Sequence, residues 1–234
     1  MASCRPDVIR RIHHFFFDFG DGKTLSDFPI FVESKAAWSS MRGWEYTLWN
    51  ETTARNLVET RRPEFLDTYD SFKYPIQRLD VAKYLVAHHI GGFVVDLDIV
   101  PLPKVSVDDI LGRNSPPYLF DRCTRKGIVA NDIFYVGVQG LPGIFDDLAS
   151  NKARLDKIDA YKCRKMRYVF HSTGPDFLSR YVKATGLHRY CAAISQRSFL
   201  DPKQAHRNAS AEFPKIRVVH HLSWAPQLSQ QHAI

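Results

Sequence analysis

Nothing in the 234 residues approaches the roughly 18–20 consecutive apolar side chains that carry a helix across a bilayer. The stretch from Met1 to His14 has charge but no apolar signal core, so no secretory leader is expected. The four cysteines, Cys4, Cys123, Cys163 and Cys191, are scattered and form no Cys-x-x-Cys pair. That spacing excludes a zinc ribbon and a small disulfide scaffold, and suits free thiols in a reducing compartment. The expected location is therefore cytoplasmic or membrane-peripheral. There is no internal repeat and no Ser/Gly-rich linker, which predicts a single domain over 1–234.

What is present describes an ordinary globular chain. Hydrophobic content of 44% and charged content of 24% exclude wholesale disorder. A chain this long buries roughly 70% of its surface and needs no structural metal. The formal net charge of +7 suits polyanions such as anionic headgroups or phosphorylated substrates. Much of the surplus lies in Lys152–Arg167, where Lys152, Arg154, Lys157, Lys162, Arg164, Lys165 and Arg167 crowd together. Nucleic-acid binding would want stacking aromatics interleaved with that patch, and is not expected. A solvated helical face or a peripheral membrane contact fits it better.

The hydrophobic pattern alternates helices with short apolar strands, which predicts an α/β fold with a mostly parallel, mixed central sheet. Val8–Phe17 reads as a buried first strand followed by a turn at Gly20–Gly22. A short helix from Trp38 is expected to lead to a strand at Tyr46–Trp49. Further helices are expected at Thr52–Glu59, Glu64–Tyr69, Pro142–Ala149 and Asp176–Ala184. Strands are expected at Tyr118–Phe120, Ile133–Val138 and Lys215–His221. The clearest helix is Ile76–His89, stopped by Gly91-Gly92. Phe93–Val95 then reads as a buried strand that runs into Asp96-Leu97-Asp98.

Asp96 and Asp98 are the centre of the functional argument. In an extended segment, residues two apart point to the same side, roughly 6.5–7 Å apart. Two carboxylates after a dry strand repel each other unless a cation joins them. Mg²⁺ is often held by only one or two carboxylates, with water and phosphate oxygens completing its shell. The pattern therefore predicts a metal bridging the protein to a phosphorylated ligand at a strand's carboxyl end, where ligands bind in open α/β sheets. Asp80 and Lys83, one helical turn apart, share a face away from the apolar stripe and form either a surface ion pair or one wall of a polar pocket.

The stretch Arg78-Leu79-Asp80-Val81-Ala82-Lys83-Tyr84-Leu85, with Gly91-Gly92 and Asp96-Leu97-Asp98 after it, resembles the glycosyltransferases with a DXD sugar-binding region. These include the Och1-like mannosyltransferases, the α-1,4-galactosyltransferases and, more distantly, the clostridial glucosylating toxins. The resemblance continues in order through Val8–Phe17, Trp38, Tyr46–Trp49, Asn131 with Phe134, Thr173-Gly174-Pro175, and His220 to Ser223-Trp224. It thus spans a core of about 8–224.

The resemblance implies a GT-A type fold and transfer of a hexose from a UDP- or GDP-sugar to a glycan, glycolipid or glycoprotein acceptor, with retention. It implies that Asp98 and Asp96 hold Mn²⁺ or Mg²⁺, with His220 or His221 as a further ligand. Asp80, Lys83, Asp96 and Asn131 would form the catalytic surroundings of the donor sugar. Phe16 would support the nucleotide base, and Ser223 and Trp224 would close over the diphosphate. Two positions depart from the family pattern: Lys83 stands where Arg is usual, and Phe16 where Trp is usual. The alternatives are a phosphatase of the haloacid dehalogenase type with Asp96 as nucleophile, and a non-catalytic nucleotide-sugar or glycan-binding relative.

Overall fold

The structure, a computed structural model, describes residues 8–19, 22–101, 105–112, 115–123, 128–158, 165–192, 194 and 216–218. Its centre is a six-stranded mixed sheet in the order β2-β1-β3-β6-β5-β7. The strands are β1 Arg11–Phe15, β2 Glu45–Trp49, β3 Gly92–Val95, β5 Tyr118–Cys123, β6 Ile128–Val136 and β7 Cys191–Ala192. The pairs β1/β2, β1/β3 and β5/β7 are parallel, while β3/β6 and β5/β6 are antiparallel. A separate two-stranded ribbon joins β4 Ile99–Pro101 to β8 Ile216–Val218. The α/β class and the mostly parallel, mixed sheet are as expected.

Alternation along β3 explains the two layers. Phe93 and Val95 point into one apolar cluster with Ile12, Trp38, Ile99, Ile110 and Tyr135. Val94 points into the opposite, larger cluster with Leu85, Val86, Phe134, Leu178 and Val182. Helices α1 (Pro29–Ser39) and α5 (Val107–Leu111) supply the first layer. Helices α2 (Glu51–Arg61), α4 (Pro75–His89), α6 (Ile144–Leu155) and α8 (Pro175–Ala184) supply the second. Two smaller helices, α3 (Leu66–Asp70) and α7 (Lys165–Ser172), complete the set among the described residues.

Gly91-Gly92 is required by backbone and by space. Both residues have positive φ, +73° and +104°. A Cβ on Gly92 would lie 2.5 Å from the Arg11 carbonyl oxygen, and one on Gly91 would lie 2.3 Å from Ile9 Cδ1. The pair lets the chain leave α4, reverse, and enter the sheet against β1 with no side chain in the way.

Several expectations are corrected. The helix expected to start at Trp38 instead begins at Pro29 and ends at Ser39. Proline at its first turn fits the helix start, and burial of Phe31, Ser34 and Trp38 against the sheet outweighs the strand-like run Ile30-Phe31-Val32. Strand β6 starts at Ile128, earlier than the expected Ile133. The lysine- and arginine-rich segment overlaps the end of α6 and the start of α7, and its residues 159–164 lie outside the described residues. Gly20 and Asp21 of the expected turn lie outside the described residues.

Candidate active site

Strands β1 and β3 are parallel neighbours, so Phe16 and Asp96 emerge at the same carboxyl edge of the sheet. Asp96-Leu97-Asp98 is not extended, which corrects the reading of two carboxylates spaced along a strand. The Ile99 N–H donates to the Asp96 carbonyl at 3.1 Å, closing a turn over Asp96–Ile99. The physical reason is that Ile99 must reverse into β4 and its pairing with β8. The start of the turn is pinned as well, because the Asp96 N–H donates to the Asp132 carbonyl on β6 at 2.7 Å.

Helix α4 brings Asp80 and Lys83 under this turn, and both are almost fully buried, at 4% and 2% exposure. Of the two readings left open by their spacing, the polar-pocket wall is the one found. The Lys83 ammonium lies 2.6 Å from Asp96 Oδ1 and 3.7 Å from Asp80 Oδ1. It also donates to the Asn131 carbonyl at 3.4 Å. Asp80 is held on both oxygens: Asn131 Nδ2 donates to Oδ1 and Thr173 Oγ1 to Oδ2, each at 2.9 Å. The Tyr84 hydroxyl donates to the Thr173 carbonyl at 2.7 Å, and Gln77 Nε2 donates to Ser172 Oγ at 2.6 Å.

A register break in β6 shapes the other side. Between the pairs Phe120↔Phe134 and Arg122↔Val129, the single residue Asp121 faces Ala130–Ile133. Such bulges re-aim side chains beside sites. This one places Asn131 against Asp80 and Asp132 beside Asp96. Asp132, 8% exposed, was not singled out from sequence, nor was Thr173 as a site residue. A bulge erases the period-two signal that would have marked Asp132. The Thr-Gly-Pro motif did point to Thr173, without saying which carboxylate it serves.

Burial raises the Asp80 carboxyl above its ordinary range, against the opposing pull of Lys83, Thr173 and Asn131. Burial also raises Asp96; Lys83 opposes the shift, while Asp98 and Asp132 add to it. Burial alone would lower Lys83, but Asp96 and Asp80 outweigh it and hold the ammonium charged. The Lys83 ammonium thus acts on Asp80, Asp96 and Asp132 together.

No group of three or more His, Cys, Asp or Glu side chains among the described residues is arranged to hold a metal alone. The turn carboxylates nevertheless fit a hard cation that takes one or two protein oxygens and completes its shell from a phosphorylated ligand. His220, His221, Ser223 and Trp224 lie outside the described residues. The preceding strand β8 ends at Val218, which pairs with Ile99 directly after Asp98. Phe16 is half-buried, its ring 6.3 Å from Phe28 and 6.4 Å from Phe31.

Residues 32–116 match the family model described as the glycosyltransferase sugar-binding region containing the DXD motif. Mannosyl phosphorylinositol ceramide synthase SUR1 of Saccharomyces cerevisiae is 33% identical over 140 residues, 58% of this chain and 33% of that protein. Inositol phosphoceramide mannosyltransferase 3 of Schizosaccharomyces pombe is 41% identical over 56 residues, 24% of this chain and 16% of that protein. The chain thus spans a third or less of these two relatives. An uncharacterized glycosyltransferase of Acanthamoeba polyphaga mimivirus is 24% identical over 80% of this chain and 72% of its own length. Among solved structures, the PaToxG glycosyltransferase aligns with a TM-score of 0.49 at 13% identity, covering 76% of this chain and 69% of that one. The Asp96-Leu97-Asp98 turn, with Asp80 and Lys83, falls inside the matched region, and by motif order, family model and relatives the chain resembles the glycosyltransferases with a DXD-containing sugar-binding region.

Proposed function

We propose that the chain is a metal-dependent glycosyltransferase of the GT-A type, one domain over 1–234. It would move a hexose from a UDP- or GDP-sugar to a glycan, glycolipid or glycoprotein acceptor with retention. The observation that carries this reading is the Asp96–Ile99 turn at the sheet's carboxyl edge, with Lys83 joining Asp96 to the buried Asp80. The family match spans this turn and so favours a transferase over a dehalogenase-type phosphatase.

Asp98 and Asp96 would hold Mn²⁺ or Mg²⁺, which supplies Lewis-acid stabilisation of the leaving diphosphate when bound. His220 or His221 is the further ligand we assign, and the β4/β8 pairing beside Asp98 supports that assignment. Ser223 and Trp224 would cover the diphosphate, and Phe16 would support the base. Lys83 fixes the orientation of Asp96 and keeps positive charge in the pocket. Asp80, with its two oxygens committed to Asn131 and Thr173, is a preorganised carboxylate facing the donor sugar, whose anomeric carbon gains oxocarbenium character. Asn131 orders that carboxylate and lies near the sugar. Among the described residues no single general base emerges, which suits retention rather than inversion.

The acceptor end is supported by the relatives, two of which are named as enzymes of phosphoinositol-ceramide mannosylation. A glycolipid acceptor suits a peripheral membrane contact through Lys152–Arg167. There, Arg154 and Arg180 both donate to Asn151 Oδ1, and Arg167 approaches His171 Nε2 at 3.3 Å.

The test is a thermal-shift panel of UDP- and GDP-sugars with and without Mn²⁺. A ligand at one hundred times its dissociation constant stabilises the folded state by about 2.7 kcal/mol. The expected result is a Mn²⁺-dependent shift with one nucleotide class, lost in Asp98→Ala. No shift with any donor would overturn the reading.

A further inference from the structure

Both backbone polar groups of Ile99 are bound. Its N–H closes the turn onto Asp96, and its carbonyl accepts two hydrogen bonds from helix α1. Ser34 Oγ donates to it at 2.6 Å and Trp38 Nε1 at 2.8 Å. Both side chains are fully buried, at 0% exposure. Serine in a helix commonly bonds back to its own helix backbone. Here Ser34 instead reaches across to the residue after Asp98. Packing alone would be met by Ala at 34 and by any large apolar ring at 38. Two polar donors converging on one carbonyl do something that packing does not require.

We infer that Ser34 and Trp38 are positioning residues for the Asp96–Ile99 turn. They fix the Ile99 carbonyl, one residue beyond Asp98, and so limit where the Asp98 carboxylate stands relative to Asp96. The inference rests on the proposed transferase reading for its functional consequence, but its structural content is independent of it. A carbonyl saturated by two donors cannot rotate away without breaking both, and the Asp132 contact holds the other end of the turn. The turn is thus clamped between strand β6 and helix α1, preorganised before any cation or diphosphate arrives.

Two variants remove the donors: Ser34→Ala, which is the gentler, and Trp38→Phe, which keeps an aromatic ring. The first readout is hydrogen–deuterium exchange of a peptide covering 96–101, with a peptide from α8 as internal reference. Exchange in the turn is expected to rise about tenfold in each variant while the α8 peptide stays as in the wild type, about tenfold being the loss of one such hydrogen bond. The second is Mn²⁺-dependent binding of UDP and GDP, which is expected to weaken about tenfold in Ser34→Ala, while metal-free binding is unchanged. Ser34→Thr keeps the hydroxyl and is expected to restore most of the binding lost in Ser34→Ala. Turn exchange equal to wild type in both variants overturns the inference, as does unchanged Mn²⁺-dependent binding in Ser34→Ala. A wild type that binds neither nucleotide overturns the transferase reading instead, and the exchange measurement then decides the clamp alone.

Discussion

The ammonium of the buried Lys83 stands 2.6 Å from the Asp96 carboxylate and 3.7 Å from that of Asp80. One buried cation therefore serves carboxylates from a helix and from a turn. Removing a partner from such a group leaves uncompensated buried charge, which costs about 3–5 kcal/mol. Because Asp96 is 29% exposed and reaches water, the lower end of that range applies. Lys83→Met is expected to lower unfolding free energy by about 3 kcal/mol in urea titrations. Mn²⁺ or Mg²⁺ should recover part of the loss, because a cation near Asp96 restores the missing positive charge.

Thr173 offers a sharper test of how Asp80 is held. Thr173→Val keeps the side chain's shape but removes the hydroxyl that donates to Asp80 Oδ2. A buried carboxylate oxygen losing its donor costs about 1–3 kcal/mol. Thr173→Ser, which retains the hydroxyl, should lie within about 1 kcal/mol of the wild type. A loss in Thr173→Ser with none in Thr173→Val would show that the methyl group matters and the hydrogen bond does not.

Gly92→Ala tests the entry to the site. A Cβ there meets the Arg11 backbone at 2.5 Å, at a φ of +104° that L side chains rarely adopt. Neither contact can be relieved by a rotamer change. The loss should exceed about 4 kcal/mol and appear as insoluble or unfolded protein on expression. Soluble protein with a wild-type melting curve would contradict the close approach of β3 to β1.

Adjacent buried histidines on β1 make stability fall in acid. Burial lowers His13 to about 4 and His14 to about 3, the latter with a further push from His13. Both are neutral in the folded chain, and His13 bridges the Gly91 carbonyl and the Trp49 indole N–H in that form. In the unfolded chain they titrate near 6.5. The unfolded state therefore binds more protons below that value, and stability falls as pH drops from about 6.5 towards 4 and 3. The slope contributed by the pair reaches about 2.5 kcal/mol per pH unit near pH 5. Urea midpoints measured across that window should steepen accordingly, and His14→Phe should remove about half of the pair's contribution.

The parts legible in the sequence are those whose signals are local. Helix α4 runs from Pro75 to His89 with glycines after it, and β3 is a short apolar strand, so the path from Asp80 to Asp98 could be traced. The missed parts depend on tertiary context. Helix α1 hides behind Ile30-Phe31-Val32, which reads as strand until Phe31, Ser34 and Trp38 are seen to face the sheet. Asp132 sits in a bulge, where side-chain alternation fails. The turn at Asp96–Ile99 is set by β4 reversing onto β8, a pairing between residues more than a hundred positions apart. Asp80's dependence on Thr173 is equally long-range.

The most direct test of the account is release of nucleoside diphosphate from UDP- and GDP-sugars by the wild-type chain and by Asp98→Ala, with Mn²⁺ and with chelator. The account predicts Mn²⁺-dependent release from one nucleotide class by the wild type. It predicts release reduced at least about a hundredfold in Asp98→Ala, the scale of losing one preorganised electrostatic contact at the leaving group. Release that is equal in the two proteins, or absent from the wild type with every donor, would contradict it.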